Sequence, residues 1–215
     1  MARTLQFDKK RFFKGLQTFF SRHGYTYLPA QNMFYSPTAN GFKAIYVIPS
    51  VYPDEVYFEV NLGVRLDIVE RTIRPFTLNP QSFQTQSTTA ITSLGRLLDQ
   101  PTFKLQAQTD DQIKRVHGFL KDCMNDKGFH FLDSMTHVEH LDRLLNNDPE
   151  RASDVAFNQV LRCFRGIIVA RLRGNPSWLN IHHQYLEYLE KQRVPSTVYQ
   201  NYMRLIGYLD SFGLN

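Results

Sequence analysis

Asp133, His137 and His140 stand four and three residues apart. On one helix they would project to the same side and could offer an oxygen and two imidazole nitrogens to a divalent metal. Asp133 also falls near the start of a helix expected over about 134–146, where a carboxylate is a common cap, and His137 borders that helix's leucine stripe, so both have a structural reading beside the ligand one. A second imidazole pair is His182 and His183. His183 follows Leu179 by four residues and precedes Leu186 by three, which places it on the buried side of a helix opening at Pro176, as a hydrogen-bonded core histidine. Cys123 and Cys163 are isolated thiols without CxxC spacing, each inside an expected helix near its buried side, where thiols are inert. No Gly-x-Ser-x-Gly and no Gly-rich phosphate loop occurs, and Asn61-Leu62-Gly63 lies within a strand rather than between a strand and a helix. These residues give no positive sign of enzymatic activity, and no cofactor is expected.

Recognition chemistry has more to work with. In Val56–Leu66 every even position is aliphatic or phenylalanine, and the odd positions are Tyr57, Glu59, Asn61, Gly63 and Arg65. That period of two is a strand with one apolar face, so Tyr57, Glu59, Asn61 and Arg65 would stand in a row on the other. Gly63 leaves a gap in the row where a ligand or a second backbone could approach. The competing reading is a solvated or helix-covered sheet face.

Charge supplies another candidate. The net charge is +5, and residues 1–22 hold six basic groups (Arg3, Lys9, Lys10, Arg11, Lys14, Arg22) against Asp8, while the rest of the chain is balanced. The excess therefore lies on the first helix, whose polar face includes Arg3, Lys10 and Lys14. Such a helix suits a phosphate backbone, a membrane surface or a mitochondrial presequence, or is a solvated helix face. Arg162, Arg165 and Arg173 share one face of a later helix, where arginines snorkel, favour the negative end of the helix dipole, or meet phosphate or carboxylate groups. Tyr and Trp residues beyond what the apolar stripes need (Trp178, Tyr185, Tyr188, Tyr199, Tyr202, Tyr208) fit a protein interface.

The elements that must position these groups follow from patterning. Leu5 to His23 carries Leu5, Phe12, Leu16, Phe19 and Phe20 at helical spacing, with Phe13 at the edge of the stripe, and Gly24 is placed for a left-handed cap. This helix should lie across the even face of Val56–Leu66. Tyr25–Tyr35, interrupted by Pro29, and Phe42–Pro49 precede that strand, and short turns between them predict an antiparallel meander. Arg71–Pro80 shows little period, Gln81–Thr92 reads equally as loop or strand, and Thr102–Gln108 alternates. From Thr109 the period becomes helical. Thr109 and Gln112 have capping-box spacing, with Gly128 closing that helix; further helices are expected over about 134–146, from Asp154 to Gly174, from Pro176, and over Ser196–Phe212. The expected fold is α+β: an N-terminal helix on an antiparallel sheet over 1–108, then a helical region over 109–215 with a softer break near 146–153.

The helix ending His23-Gly24-Tyr25, the strand ending Phe34-Tyr35, the strand Ile45–Ser50 and the run Val56-Tyr57-Phe58-Glu59-Val60-Asn61-Leu62-Gly63 resemble a bacterial family known as domain of unknown function 4304, over about residues 5–66. That resemblance implies a bacterial cytoplasmic α+β domain without an assigned activity, and similar small domains occur beside toxin genes as immunity proteins. The apolar runs are too short to span a bilayer, and the unpaired cysteines fit a reducing cytoplasm. The expected function is a non-catalytic protein-binding module, which the resemblance implies to be immunity-like, with nucleic-acid binding through the first helix as the alternative.

Overall fold

The computed structural model describes residues 7–77 and 86–211. Its elements in chain order are α1 (Lys9–Arg22), β1 (Thr26–Leu28), β2 (Met33–Thr38), β3 (Gly41–Val51), β4 (Val56–Leu66), α2 (Asp67–Ile73), β5 (Ala90–Ser93), α3 (Leu94–Leu97), β6 (Leu105–Ala107), α4 (Asp110–Cys123), α5 (Phe129–Ser134), α6 (Val138–Asn146), α7 (Gln159–Arg173), α8 (Trp178–Lys191) and α9 (Ser196–Ser211). This is the expected α+β architecture, with an N-terminal helix, an antiparallel sheet and a helical C-terminal region. The strands run in the order β1-β2-β3-β4-β5, and β6 also pairs with β4. Two compact units form, Met1–Gly63 with Thr92–Asp133, and Val64–Ile91 with Ser134–Asn215. The chain crosses from one to the other inside β4 and back inside β5.

In the first unit, Asp8 caps α1 by accepting the Arg11 N–H, and Gly24 in the left-handed region (φ 81°) stops it one residue after His23. Phe12, Phe13, Leu16 and Phe20 form the buried stripe. Phe13 thus belongs to the core, and Phe19, expected there, sits half-buried at its edge. Phe12 stacks on Phe58 of β4 with centroids 4.5 Å apart, and Phe20 packs on Phe34 of β2 at 4.3 Å, so the helix lies on the even face of β4 as expected. Such ring pairs contribute about 0.5–1.5 kcal/mol each beyond area burial.

The first expected strand is two strands. Pro29 opens a single 3-10 turn, Asn32 takes φ 50°, and the chain doubles back with Leu28 opposite Met33. At the other end of the unit, α4 carries the predicted capping box of Thr109 and Gln112. Gly128 does not end that helix. Residues 124–128 form a π turn that leads straight into α5, with the Met124 side chain folded over Gly128, where a Cβ would lie 2.5 Å from its Sδ.

In the second unit, β4 runs directly into α2, a helix that the region's weak period hid. β5 lies in the stretch read as loop or strand, of which 78–85 falls outside the described residues. Two helix starts also shift. The helix expected over about 134–146 begins at Val138, because His137 is extended (φ −94°, ψ 122°). The helix expected from Asp154 begins at Gln159 under an Asn158 cap, leaving Phe157 exposed. Gly174 (φ 71°) ends it as expected.

Candidate interaction surface

β3 reaches past β2, while on the other side of the hairpin Val56 to Phe58 of β4 pair with β6. β2 pairs with β3 from Gly41 to Tyr46, and a last bond from Val47 N–H to the Asn32 carbonyl (3.0 Å) closes that ladder. Ile48–Val51 continue beyond β2, and the turn is held by Tyr52 N–H on the Glu55 carbonyl at 2.8 Å. Val47 aims its N–H toward β2, so Pro49 occupies the next position with that orientation and offers no donor. A proline on a free strand edge discourages pairing with another strand, which leaves side chains as the means of contact.

Those side chains are apolar and aromatic. Val51 is 58% exposed and Tyr52 53%, with Ile48 also exposed. Tyr57, the first residue of the predicted row, is half-buried and meets Tyr52 edge-on with centroids 5.7 Å apart at 87°. A hydrogen bond to the Glu55 carboxylate raises the Tyr57 pKa, with desolvation adding to it, so the phenol stays protonated. Asp54 and Glu59 are exposed beside this patch. The Tyr52–Tyr57 pair, with Ile48 and Val51 exposed on opposite faces of β3 and carboxylates beside them, gives the hairpin end apolar contact area with a polar border, the composition of an interface.

The rest of the predicted row does not stay on the surface. From Asn61 onward every residue of β4 is buried, so the expected wet face ends at Glu59. Asn61 is 4% exposed; its Nδ2 donates to Glu59 Oε1 at 2.7 Å, and no partner reaches its Oδ1 among the described residues. Arg65 belongs to the second unit, where it is buried and donates to Asp67 Oδ1 at 2.6 Å and to the Ser87 carbonyl and hydroxyl at 2.9 Å.

On α1, Lys10 and Lys14 are exposed on the side away from the phenylalanines, while Arg3 lies outside the described residues. The three metal candidates separate. Asp133 stands at the end of α5, not at a helix start, and pairs with Lys43 Nζ at 2.5 Å. Met135 to His137 break the helix that would have aligned the trio, and His140 Nδ1 sits 2.8 Å from Arg143 Nη2. Among the described residues no three His, Cys, Asp or Glu side chains converge to hold a metal. Both cysteines are buried, and burial pushes the Cys163 thiol up to about 12.

The second unit is organised by buried charge that patterning missed. Glu70 of α2 accepts from Arg165 Nε (2.9 Å) and Nη2 (3.1 Å), from Ser87 Oγ (2.7 Å) and from Thr89 Oγ1 (3.0 Å). Burial alone would raise its pKa, but the Arg165 charge and these hydrogen bonds outweigh it and hold the carboxyl below its ordinary value. Asp142 accepts from Arg173, Asn175 and Asn146. Arg162 is 1% exposed and donates to the carbonyls of Leu145, Asp148 and Arg151. The arginine face of α7 is therefore spent inside the unit, on carboxylates and on the carbonyls around the end of α6.

Tyr185 and Tyr202, counted as surplus aromatics, are core residues, and Tyr185 donates to the Leu145 carbonyl and Asn146. His182, not His183, is the buried histidine of α8, because the inward stripe is Ile181, His182, Tyr185 and Leu189, and Leu179 is exposed. Its Nδ1 lies 3.4 Å from the Tyr202 hydroxyl.

A shallow polar depression of about 560 Å³ lies over Asn146, Asp148, Asn175, Asn180 and Gln184. Its buried members already spend their polar atoms on the network beneath, with Asn146 Nδ2 on Asp142 and Gly166 and Asn175 Nδ2 on Asp142. No family model, curated protein or solved structure matches this chain, so the resemblance of residues 5–66 gains no family match.

Proposed function

We propose that the chain is a non-catalytic protein-binding module that holds its partner through the end of the β3–β4 hairpin. The observation that carries this reading is the set of exposed apolar and aromatic side chains at the hairpin end, Ile48, Val51 and the Tyr52–Tyr57 ring pair, where β3 runs on past β2, with Asp54, Glu55 and Glu59 beside them. The patch fits a partner with an apolar anchor and basic residues around it. The described residues hold no helix long and apolar enough to cross a membrane. A cytoplasmic setting belongs to the proposal, and an immunity-like partner follows from the sequence resemblance alone.

The test uses the full chain and Val51→Asp as paired baits in extract of the source cells. A protein retained stoichiometrically by the native chain and depleted about tenfold by the variant, the size of one lost apolar anchor, supports the reading. Equal retention by both baits, or no retained protein, contradicts it.

Exposed Lys10 and Lys14 on one side of α1 favour a second reading, nucleic-acid binding. Affinity for mixed oligonucleotides that falls steeply as salt rises would support it, and salt-insensitive or absent binding would remove it.

A further inference from the structure

In the first unit α1 meets α4 at a seam where a glycine faces a histidine. A Cβ on Gly15 would lie 2.4 Å from Cε1 and 2.9 Å from Nδ1 of His117, so the imidazole occupies the space that any side chain at position 15 would need. The ring also leans on Phe12, with centroids 4.6 Å apart at 47°, and Phe12 is the residue that stacks on Phe58 of the sheet. His117 therefore touches the side chain that seats α1.

One end of that imidazole is left unanswered. Nε2 is buried, and among the described residues it has no hydrogen-bond partner. The hydrogen-bonding group beside the ring is the backbone of Phe12. The charged groups around it are Asp8 and Arg11 on α1 and Asp110, Lys114 and Lys121 on α4, while β6, the strand packed on α4, holds the uncharged Leu105, Gln106 and Ala107. Asp8, Arg11, Asp110 and Lys114 border a cleft of about 260 Å³ with Phe12, Gly15 and Ile113.

We propose that the Gly15–His117 seam is a protonation-sensitive latch, in which the neutral imidazole holds α1 closed on α4 and a proton taken from solvent onto Nε2 loosens it. A neutral Nε2 leaves a lone pair unpaired, which is a modest penalty. A protonated one places an N–H donor and a positive charge where no partner meets Nε2 among the described residues, next to Lys121. The ring relieves this only by leaving the Gly15 notch toward the cleft, where Asp8 and Asp110 supply carboxylates. Burial first, and the Lys121 charge second, favour the neutral form, against the Phe12 backbone, so the latch stays closed at neutral pH and opens in acid below the ordinary histidine range. Its release frees the helix that covers the aromatic core of the sheet.

The experiment is hydrogen exchange of the full chain at about pH 7.5 and about pH 5.5, corrected for intrinsic rates, for the native protein, His117→Phe and His117→Gln. Phe keeps a ring in the notch and Gln keeps a neutral polar group; neither titrates. The expected result is that protection of the α1 amides from Phe12 to Phe20 falls several-fold in acid in the native protein, with about tenfold as the ceiling that one pH unit below the ordinary histidine value allows, and is flat in whichever variant folds. A loss of protection equal in native and variant chains would assign the effect to Asp8 or Asp110 and overturn the proposal. So would flat protection in the native protein. Should neither variant fold, an NMR titration of the native His117 ring decides: α1 amide shifts that follow the His117 curve support the latch, and a ring that titrates without them overturns it.

Discussion

Arg165 grips both oxygens of Glu70, Nε on Oε1 at 2.9 Å and Nη2 on Oε2 at 3.1 Å, across 95 residues of chain and with both side chains largely out of water. A forked pair of this kind joins α2 to α7, and Ser87 and Thr89 complete the carboxylate's hydrogen bonds.

Breaking that pair from one side leaves a charge buried alone. Glu70→Ala is expected to destabilise the chain by about 3–5 kcal/mol, whereas Glu70→Leu with Arg165→Met together should recover most of that loss, since well-packed apolar replacements avoid the desolvation of both ions. Urea denaturation of the two variants checks this, and a single variant within about 0.5 kcal/mol of the native chain would contradict it.

The same carboxylate sets a pH dependence. Its folded pKa lies below the ordinary value of 4.5, so the unfolded chain binds the proton more readily. The stabilisation is fully present above pH 4.5 and is lost as pH falls through the folded value. Glu70→Gln should flatten this acid limb of the stability curve, and an unchanged limb would show that other carboxylates produce it.

Arg162 yields a third expectation. Its guanidinium spans three carbonyls that the chain end of α6 and the following turn leave open, a task for a rigid fork. Arg162→Lys keeps the charge but reaches fewer of them, and should cost about 1–3 kcal/mol in thermal or denaturant unfolding through the acceptors left unpaired. An equally stable lysine variant would mean that the carbonyls need no fork.

The contrast between β4 and α7 shows what was legible in the sequence. The bounds of β4, the Thr109 capping box and the left-handed stops at Gly24 and Gly174 depend on residues within a few positions of one another, and local spacing states them. Arg162 and Arg165 looked like a polar face because their partners lie far along the chain or are backbone carbonyls, which no spacing reveals. Glu70 was hidden in a helix of only seven residues that follows its strand without a loop. Spacing from Leu179 points to His183, but Leu179 is exposed and the stripe that turns inward runs through His182. Of the predicted row, Tyr57 and Glu59 remain at the hairpin surface, whereas Asn61 and Arg65 are covered, and alternation alone does not say how far along a strand its second face stays wet. Ile48, Val51 and Tyr52 were missed as a surface; the signal was present as a long strand, Phe42–Pro49, running on past the preceding strand to an apolar turn.

Substitutions in that patch should leave the fold alone. Val51→Asp and Tyr52→Ala remove exposed groups at a turn and are expected to shift stability by no more than about 0.5 kcal/mol. Circular dichroism melts check this, and a large drop would make the patch part of the core instead of a contact surface.

The proposed role of the hairpin end is tested most directly by placing a photo-crosslinking amino acid at Tyr52, and separately at Lys10, and irradiating the source cells. The expected result is one discrete protein adduct from position 52 that disappears when Val51→Asp is added, and none from position 10. A nucleic-acid adduct from position 10 with no protein adduct from position 52 would contradict it.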